Sequence, residues 1–156
     1  MGRSFTTAPP PPTPSADATP PPTGIVNLTS LSEYDTLLAH SARHPLILDC
    51  YADWCGPCRK LTPLLEAAVA KGVSASPSAH PVLVKVDVDQ QQFAPLASKL
   101  GVSAIPAVFI FHDGQLIGQQ TGLLSGDQCD AIVSELIRRS GDGTRPASAS
   151  SGNSQS

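Results

Sequence analysis

Between residues 24 and 140 the hydrophobic positions switch repeatedly between a strand period and a helix period. Residues 24–28 make a short strand. Ser30 and Glu33, spaced as a capping box, open a helix to about His40. Leu46-Ile47-Leu48-Asp49-Cys50-Tyr51 is mostly apolar, the mark of a strand buried on both faces. A helix follows from about Cys55 to Lys71, with Leu61, Leu64, Leu65, Ala68 and Val69 at helical spacing. Pro63 inside it predicts a kink. Residues 81–87 make the next strand, and residues 91–100 a helix stopped by Gly101. Residues 107–111 and 115–121 flank His112-Asp113-Gly114 and read as a hairpin. Residues 125–139 form the last helix, with Ile132, Val133, Leu136 and Ile137 facing in and Arg138 and Arg139 at its negative end. The order βαβαβαββα predicts an α/β fold: a central mixed sheet with helices on both faces and one antiparallel hairpin at an edge.

Both ends lack this periodicity. Eight of the 16 prolines precede Gly24, and Phe5 is the one large apolar residue there besides Met1. Proline has no N–H to give and biases its predecessor toward extended backbone. Residues 1–23 therefore read as a disordered proline-rich arm, locally polyproline II. Arg3 to Thr7 also resemble the stump of a mitochondrial presequence, and Met1 to Thr6 fit the myristoylation pattern. No apolar h-region precedes Pro9, so a secretory signal is not expected. Gly141-Asp142-Gly143 stops the last helix, and residues 141–156 read as a disordered Ser/Gly-rich tail. Residues 24–140 remain as one domain, in keeping with a chain of 156 residues.

Charge narrows the function. The net charge is −3, and Arg3 offsets Asp17 while Arg145 offsets Asp142, so the excess belongs to the domain. A mildly acidic chain without Lys/Arg clusters is not expected to bind nucleic acid or an anionic membrane surface. No apolar run reaches the ~18–20 residues of a membrane span. Four cysteines do not make a disulfide-stapled miniprotein of a chain this long.

Cys55-Gly56-Pro57-Cys58 carries the chemistry. A C-x-x-C beside a βαβ pattern reads as a redox pair. The thiolate, not the thiol, attacks disulfides. At a helix start, unpaired N–H groups and the dipole favour an anion, so the Cys55 pKa is expected to fall. Cys58 lies one turn on, within disulfide reach. Pro57 fits the first helical turn, where its missing N–H costs nothing, and limits flexibility between the sulfurs. Exchange then runs in two steps: Cys55 attacks, and Cys58 resolves the mixed disulfide.

Asp49 is the one charge in its apolar strand, and its strand feeds the Cys55 loop. A buried carboxylate holds its proton to higher pH, so Asp49 is expected to accept the proton of Cys58. Lys85 is equally out of place among Val82, Leu83, Val84 and Val86, and is expected to pair with Asp49 as part of a proton relay.

The segment Asp49-Cys50-Tyr51-Ala52-Asp53-Trp54-Cys55-Gly56-Pro57-Cys58-Arg59-Lys60 closely resembles the active site of thioredoxins. The resemblance extends in order through Pro63, Lys85 to Asp89, Gly101-Val102, Ile105-Pro106, Asp113-Gly114 and Gly122, covering about residues 24–139. It implies a thioredoxin fold and a protein-disulfide reductase in cell redox homeostasis. Cys55 would be the nucleophile, Cys58 the resolving thiol and Asp49 the buried proton acceptor. Pro106 would be a cis proline facing the pair. Trp54, Gly56, Pro57, Ile105, Pro106 and Gly122 would line the substrate surface. It implies protein disulfides as substrates, no bound cofactor or metal, and NADPH used indirectly through a thioredoxin reductase. A monomer is expected, intracellular, in the cytoplasm or alternatively the mitochondrion. Cys50 stands where the family commonly has an aromatic, Ala107 where it has Thr, and the loop 72–81 is longer.

Other readings fit less well. Cys50, Cys55, Cys58 and Cys129 have a plant-type [2Fe–2S] spacing, but Cys50 falls in a strand run rather than a loop. Structural zinc lacks a second C-x-x-C or paired His. His40, His44, His80 and His112 read as exposed polar residues, and Cys50 and Cys129 as buried, inert thiols. An isomerase or oxidase would favour His over Pro57. A purely binding module would survive alkylation of Cys55.

Overall fold

Alternate residues of a strand face opposite sides of its sheet, so a run that is apolar at every position needs cover on both. The computed structural model describes residues 24–141 and gives the run at 46–51 that cover. The elements are β1 (Ile25–Asn27), α1 (Leu31–Ala39), β2 (Leu46–Tyr51), α2 (Gly56–Ala75), β3 (Val82–Asp87), a 3-10 turn (Gln91–Phe93), α3 (Ala94–Leu100), β4 (Ala107–His112), β5 (Gln115–Thr121) and α4 (Gly126–Gly141). The sheet order is β1-β3-β2-β4-β5, parallel through β1, β3 and β2 and antiparallel from β2 to β4 and β4 to β5. This is the expected mixed sheet with its hairpin at one edge.

Leu46, Leu48 and Cys50 of β2 pack with Val82, Val84, Val86, Phe109 and Phe111 against Tyr34 of α1, Phe93 of the 3-10 turn and Leu96 of α3. On the other face Ile47, Leu83 and Val108 pack against Leu61, Leu65 and Val69 of α2 and Val133 and Leu136 of α4. Asp49 and Lys85 occupy this second face, paired in register across the β2–β3 ladder. No helix among the described residues is long and apolar enough to cross a membrane. The arm at 1–23 and the tail beyond residue 141 lie outside the described residues.

Several boundaries differ from the sequence pattern. Helix α2 does not stop at Lys71 but runs to Ala75, which leaves the following loop only residues 76–81. A Cβ on Gly72 would stand 2.7 Å from Val133 Cγ1. Gly72 is therefore the point where α4 approaches α2, not a helix stop. Pro63 lies inside α2 without ending it. Residues 91–100 divide into the 3-10 turn and α3, with Pro95 in the first turn of α3, where a missing N–H is tolerated. Gly101 ends α3 as expected, with φ of 74°.

The Ser30 hydroxyl accepts from the Glu33 N–H at 3.0 Å, but the Glu33 carboxylate reaches Thr29 N–H and Oγ1 at 2.8 Å rather than the Ser30 amide. The hairpin turn is the two residues Asp113 (φ 54°) and Gly114 (φ 78°), and His112 ends β4. His80 is not exposed but 3% accessible, its ring 4.9 Å from that of His44. The His44 Nδ1 meets the His80 carbonyl at 2.9 Å, which ties the loop after α2 to the segment before β2.

Candidate active site

The end of β2 delivers the chain into a tight turn, Ala52 to Trp54, closed by the Cys55 N–H donating to the Ala52 carbonyl at 3.1 Å. Cys55 caps α2 with extended backbone, φ −85° and ψ 112°. Its sulfur accepts the Cys58 N–H at 3.2 Å. The cap position thus directs a free helical N–H at that sulfur, the environment that favours a thiolate. Gly56 and Pro57 are the first two helical residues. No atom lies within 4 Å of a Cβ placed on Gly56, so the position is open. Cys55 and Cys58 are joined in a disulfide, their Cα atoms 5.3 Å apart. Cys55 is 4% exposed and Cys58 is more deeply covered.

Ile105 packs against the cluster of Ala52, Cys55 and Cys58, and the Ile105–Pro106 bond is cis. The Gly122 N–H donates to the Pro106 carbonyl at 2.8 Å, and Gly122 holds φ at 98°, a conformation suited to glycine. Trp54 is 68% exposed, and its indole N–H donates to Asp89 Oδ2 at 2.8 Å. The fold thus brings Ile105, Pro106 and Gly122 together from a distant stretch of chain, while Trp54 stands beside Cys55 in sequence.

Asp49 lies beneath this surface with no exposed area. Thr62 Oγ1 donates to its Oδ2 at 2.7 Å, and its Oδ1 is buried without a hydrogen-bond partner. Burial pushes the carboxyl up to about 6, against the Thr62 hydrogen bond and the Lys85 charge, which favour the anion. Lys85 does not form the expected ion pair with Asp49. Its ammonium binds Glu66 Oε2 at 2.8 Å. Glu66 lies on α2 directly above the β2–β3 ladder, one helical turn past Thr62, and so reaches Lys85 from the helix side. A pocket of about 430 Å³ opens here, with Cys58, Thr62, Lys85, Tyr51, Asp53 and Arg59 in its wall.

Thr62, Glu66 and Asp89 are the site neighbours that the sequence pattern did not single out. Thr62 and Glu66 follow Cys58 at successive helical repeats, a signal available in the spacing. Asp89 lies in the Lys85 to Asp89 run of the resemblance, but nothing in its spacing pointed to Trp54.

Cys50 and Cys129 are both buried, as expected, and burial pushes the Cys50 thiol up to about 12. They belong to opposite faces of the sheet, so the four cysteines do not converge on one cluster. Among the described residues no three His, Cys, Asp or Glu side chains are grouped to hold a metal.

Comparison with known proteins agrees with this geometry. The Thioredoxin family model matches residues 25–135. A probable thioredoxin-2 of Caenorhabditis elegans is 38% identical over 72% of this chain and 72% of its own. The mitochondrial thioredoxin of Bos taurus is 37% identical over 60% of this chain and 52% of its own. The oxidised crystal structure of mitochondrial thioredoxin 3 from Saccharomyces cerevisiae superposes with a TM-score of 0.57 and 33% identity, covering 74% of this chain and 98% of that one. With its cysteine pair at the helix cap beside a cis proline, and the family's sequence on either side, this chain belongs to the thioredoxin family of thiol–disulfide oxidoreductases.

Proposed function

We propose that this chain reduces protein disulfides by two successive exchanges at Cys55 and Cys58. In the first, the Cys55 thiolate attacks a substrate disulfide; one substrate sulfur leaves as a thiolate, and the other stays bonded to Cys55. In the second, Cys58 gives its proton to Asp49 and attacks the Cys55 sulfur. The second substrate thiolate leaves, and the Cys55–Cys58 disulfide remains. The observation that carries this reading is the Cys55 sulfur at the α2 cap, accepting the Cys58 N–H at 3.2 Å.

Lys85 is assigned to the proton relay, supported by its place beside Asp49 in the ladder and in the pocket wall with Cys58. Trp54, Gly56, Pro57, Ile105, Pro106 and Gly122 are assigned to the surface that grips the substrate chain. Support comes from the exposure of Trp54 and from the packing of Ile105 against the cluster that holds both cysteines.

Membership of the family implies that a thioredoxin reductase returns the pair to the dithiol using NADPH, with no cofactor bound to the chain itself. We place residues 24–140 as the working domain of a monomer. Its compartment is the cytoplasm, and the mitochondrial relatives support the mitochondrion as the alternative. The test is reduction of insulin driven by dithiothreitol, repeated with thioredoxin reductase and NADPH. Turnover in both assays, abolished by alkylating Cys55, is the expected result. A chain that binds clients but turns over in neither is not a reductase.

A further inference from the structure

Cys58, Thr62 and Glu66 follow one another at four-residue spacing on α2 and share one stripe of that helix over the β2–β3 ladder. Each has a partner there. Cys58 is bonded to Cys55, Glu66 holds the Lys85 ammonium at 2.8 Å, and the Thr62 hydroxyl gives its single proton to Asp49 Oδ2 at 2.7 Å. A mid-helix threonine commonly turns its hydroxyl back to the carbonyl four residues earlier. Thr62 spends it on a buried carboxylate instead. Oδ1 is left buried, with no hydrogen-bond partner.

We infer that Thr62 is a positioning residue for the second exchange step: by pinning Oδ2 of Asp49 it leaves Oδ1 as the oxygen that takes the Cys58 proton. The inference rests on the proton-acceptor reading of Asp49. In the step, the Cys58 S–H proton moves to Oδ1 and the sulfur bonds to the Cys55 sulfur. The bond from Cys55 to the substrate breaks, and the substrate sulfur departs as a thiolate that takes its proton from water. The pinned oxygen stays in place while the other changes state, so the carboxyl does not rotate to receive the proton.

The groups acting on Asp49 are Thr62 and Glu66 from α2 and Lys85 from β3, and Cys58 shares a pocket wall with Thr62 and Lys85; its partner in β4 is the apolar Val108. Cys50 adjoins it in β2, and Cys129 of α4 senses its charge. With Glu66 and Lys85 bound to each other, Thr62 is the one neutral donor acting on the carboxylate. Removing its hydroxyl takes away a bond that favours the anion, so Asp49 holds its proton to higher pH.

The test compares the full chain with Thr62→Val, Thr62→Ala and Thr62→Ser. The Asp49 carboxyl is titrated by carbon-13 NMR, and the second exchange step is timed by stopped flow between pH 5 and 9. Thr62→Val and Thr62→Ala are expected to raise the Asp49 midpoint by roughly one pH unit and slow the step several-fold at pH 7, while Thr62→Ser restores both. Thr62→Ala keeps the test open should Thr62→Val fold poorly. An unchanged midpoint in the variants that lack the hydroxyl overturns the inference, as does a slowing that Thr62→Ser does not repair. Asp49→Asn separates the two readings. If it slows the step while Thr62→Val titrates like the parent, only the Thr62 inference fails. If it leaves the step unchanged, the acceptor reading fails and takes the inference with it.

Discussion

Lys85 gives its ammonium to Glu66 at 2.8 Å, and not to Asp49, its partner in the β2–β3 register. The cation still favours the Asp49 anion through space, and the Glu66 charge opposes it. The two members of one ion pair therefore act on Asp49 with opposite sign.

Replacing each in turn gives opposite outcomes. Lys85→Met removes the cation and leaves the Glu66 charge, so the Asp49 midpoint rises. Glu66→Gln removes the opposing charge and releases Lys85 toward Asp49, so the midpoint falls. Carbon-13 NMR titration of the Asp49 carboxyl reads both, with shifts on the order of half to one pH unit. Shifts of the same sign would mean the pair acts on Asp49 only through packing.

Asp49 also makes stability depend on pH. Its carboxyl rises from an ordinary 3.8 to about 6 on folding. Between those values the folded chain binds more protons than the unfolded one. The stability that neutral Asp49 contributes is complete below about pH 3.8 and is lost as pH rises through about 6. Asp49→Asn escapes that loss. Relative to the parent it gains roughly 3 kcal/mol between pH 3 and pH 7.5, read by urea unfolding of the oxidised chain. In the exchange assay the same variant slows the second step by ~10²-fold or less.

The two cysteines differ in what they trap. Cys58→Ser keeps the attacking sulfur and loses the resolving one, so substrates accumulate as mixed disulfides on Cys55. Cys55→Ser traps none. Mass spectrometry of pull-downs distinguishes them, and the opposite pattern would reverse the two roles.

Gly72→Ala tests the contact between α2 and α4. Alanine favours a helix over glycine by ~1 kcal/mol, but here its methyl would stand 2.7 Å from Val133 Cγ1. Overpacking of ~1–3 kcal/mol outweighs the gain, so the variant is less stable by about 1 kcal/mol. The double variant Gly72→Ala, Val133→Ala relieves the clash. Its destabilisation is expected to fall short of the sum of the two single changes in denaturant unfolding.

Shortening the chain to residues 24–141 leaves insulin reduction unchanged and the melting temperature within about 2 °C. Neither end supplies a core or site residue named above. A larger loss in either measurement would assign the arm or the tail a place on the domain.

The strands and the cysteine pair were legible because their signals are local. The run at 46–51 is apolar at nearly every position, Asp113-Gly114 specifies its own turn, and the cysteine motif sits where a strand meets a helix. Three misread features depended on what lay across the fold. Gly72 carries the local mark of a helix end, yet its missing side chain serves Val133, 61 positions later in the chain. Asp49 and Lys85 occur in adjoining strands, so their pairing was the natural expectation. Glu66 wins Lys85 because the phase of α2 hangs it over the same ladder. His80 looked like an exposed loop residue until the loop proved short enough to tuck its ring beside His44.

Trp54 is the only tryptophan in the chain, and it is solvent-facing, hydrogen-bonded to Asp89 and directly next to Cys55. The intrinsic indole fluorescence of this protein therefore originates at the active site and nowhere else. Reduction of the adjoining disulfide, docking of a client over the indole, and loss of the Asp89 bond each alter one emission band with no background from a second indole. The protein carries its own optical probe of redox state, and a titration with a client can be followed without a label.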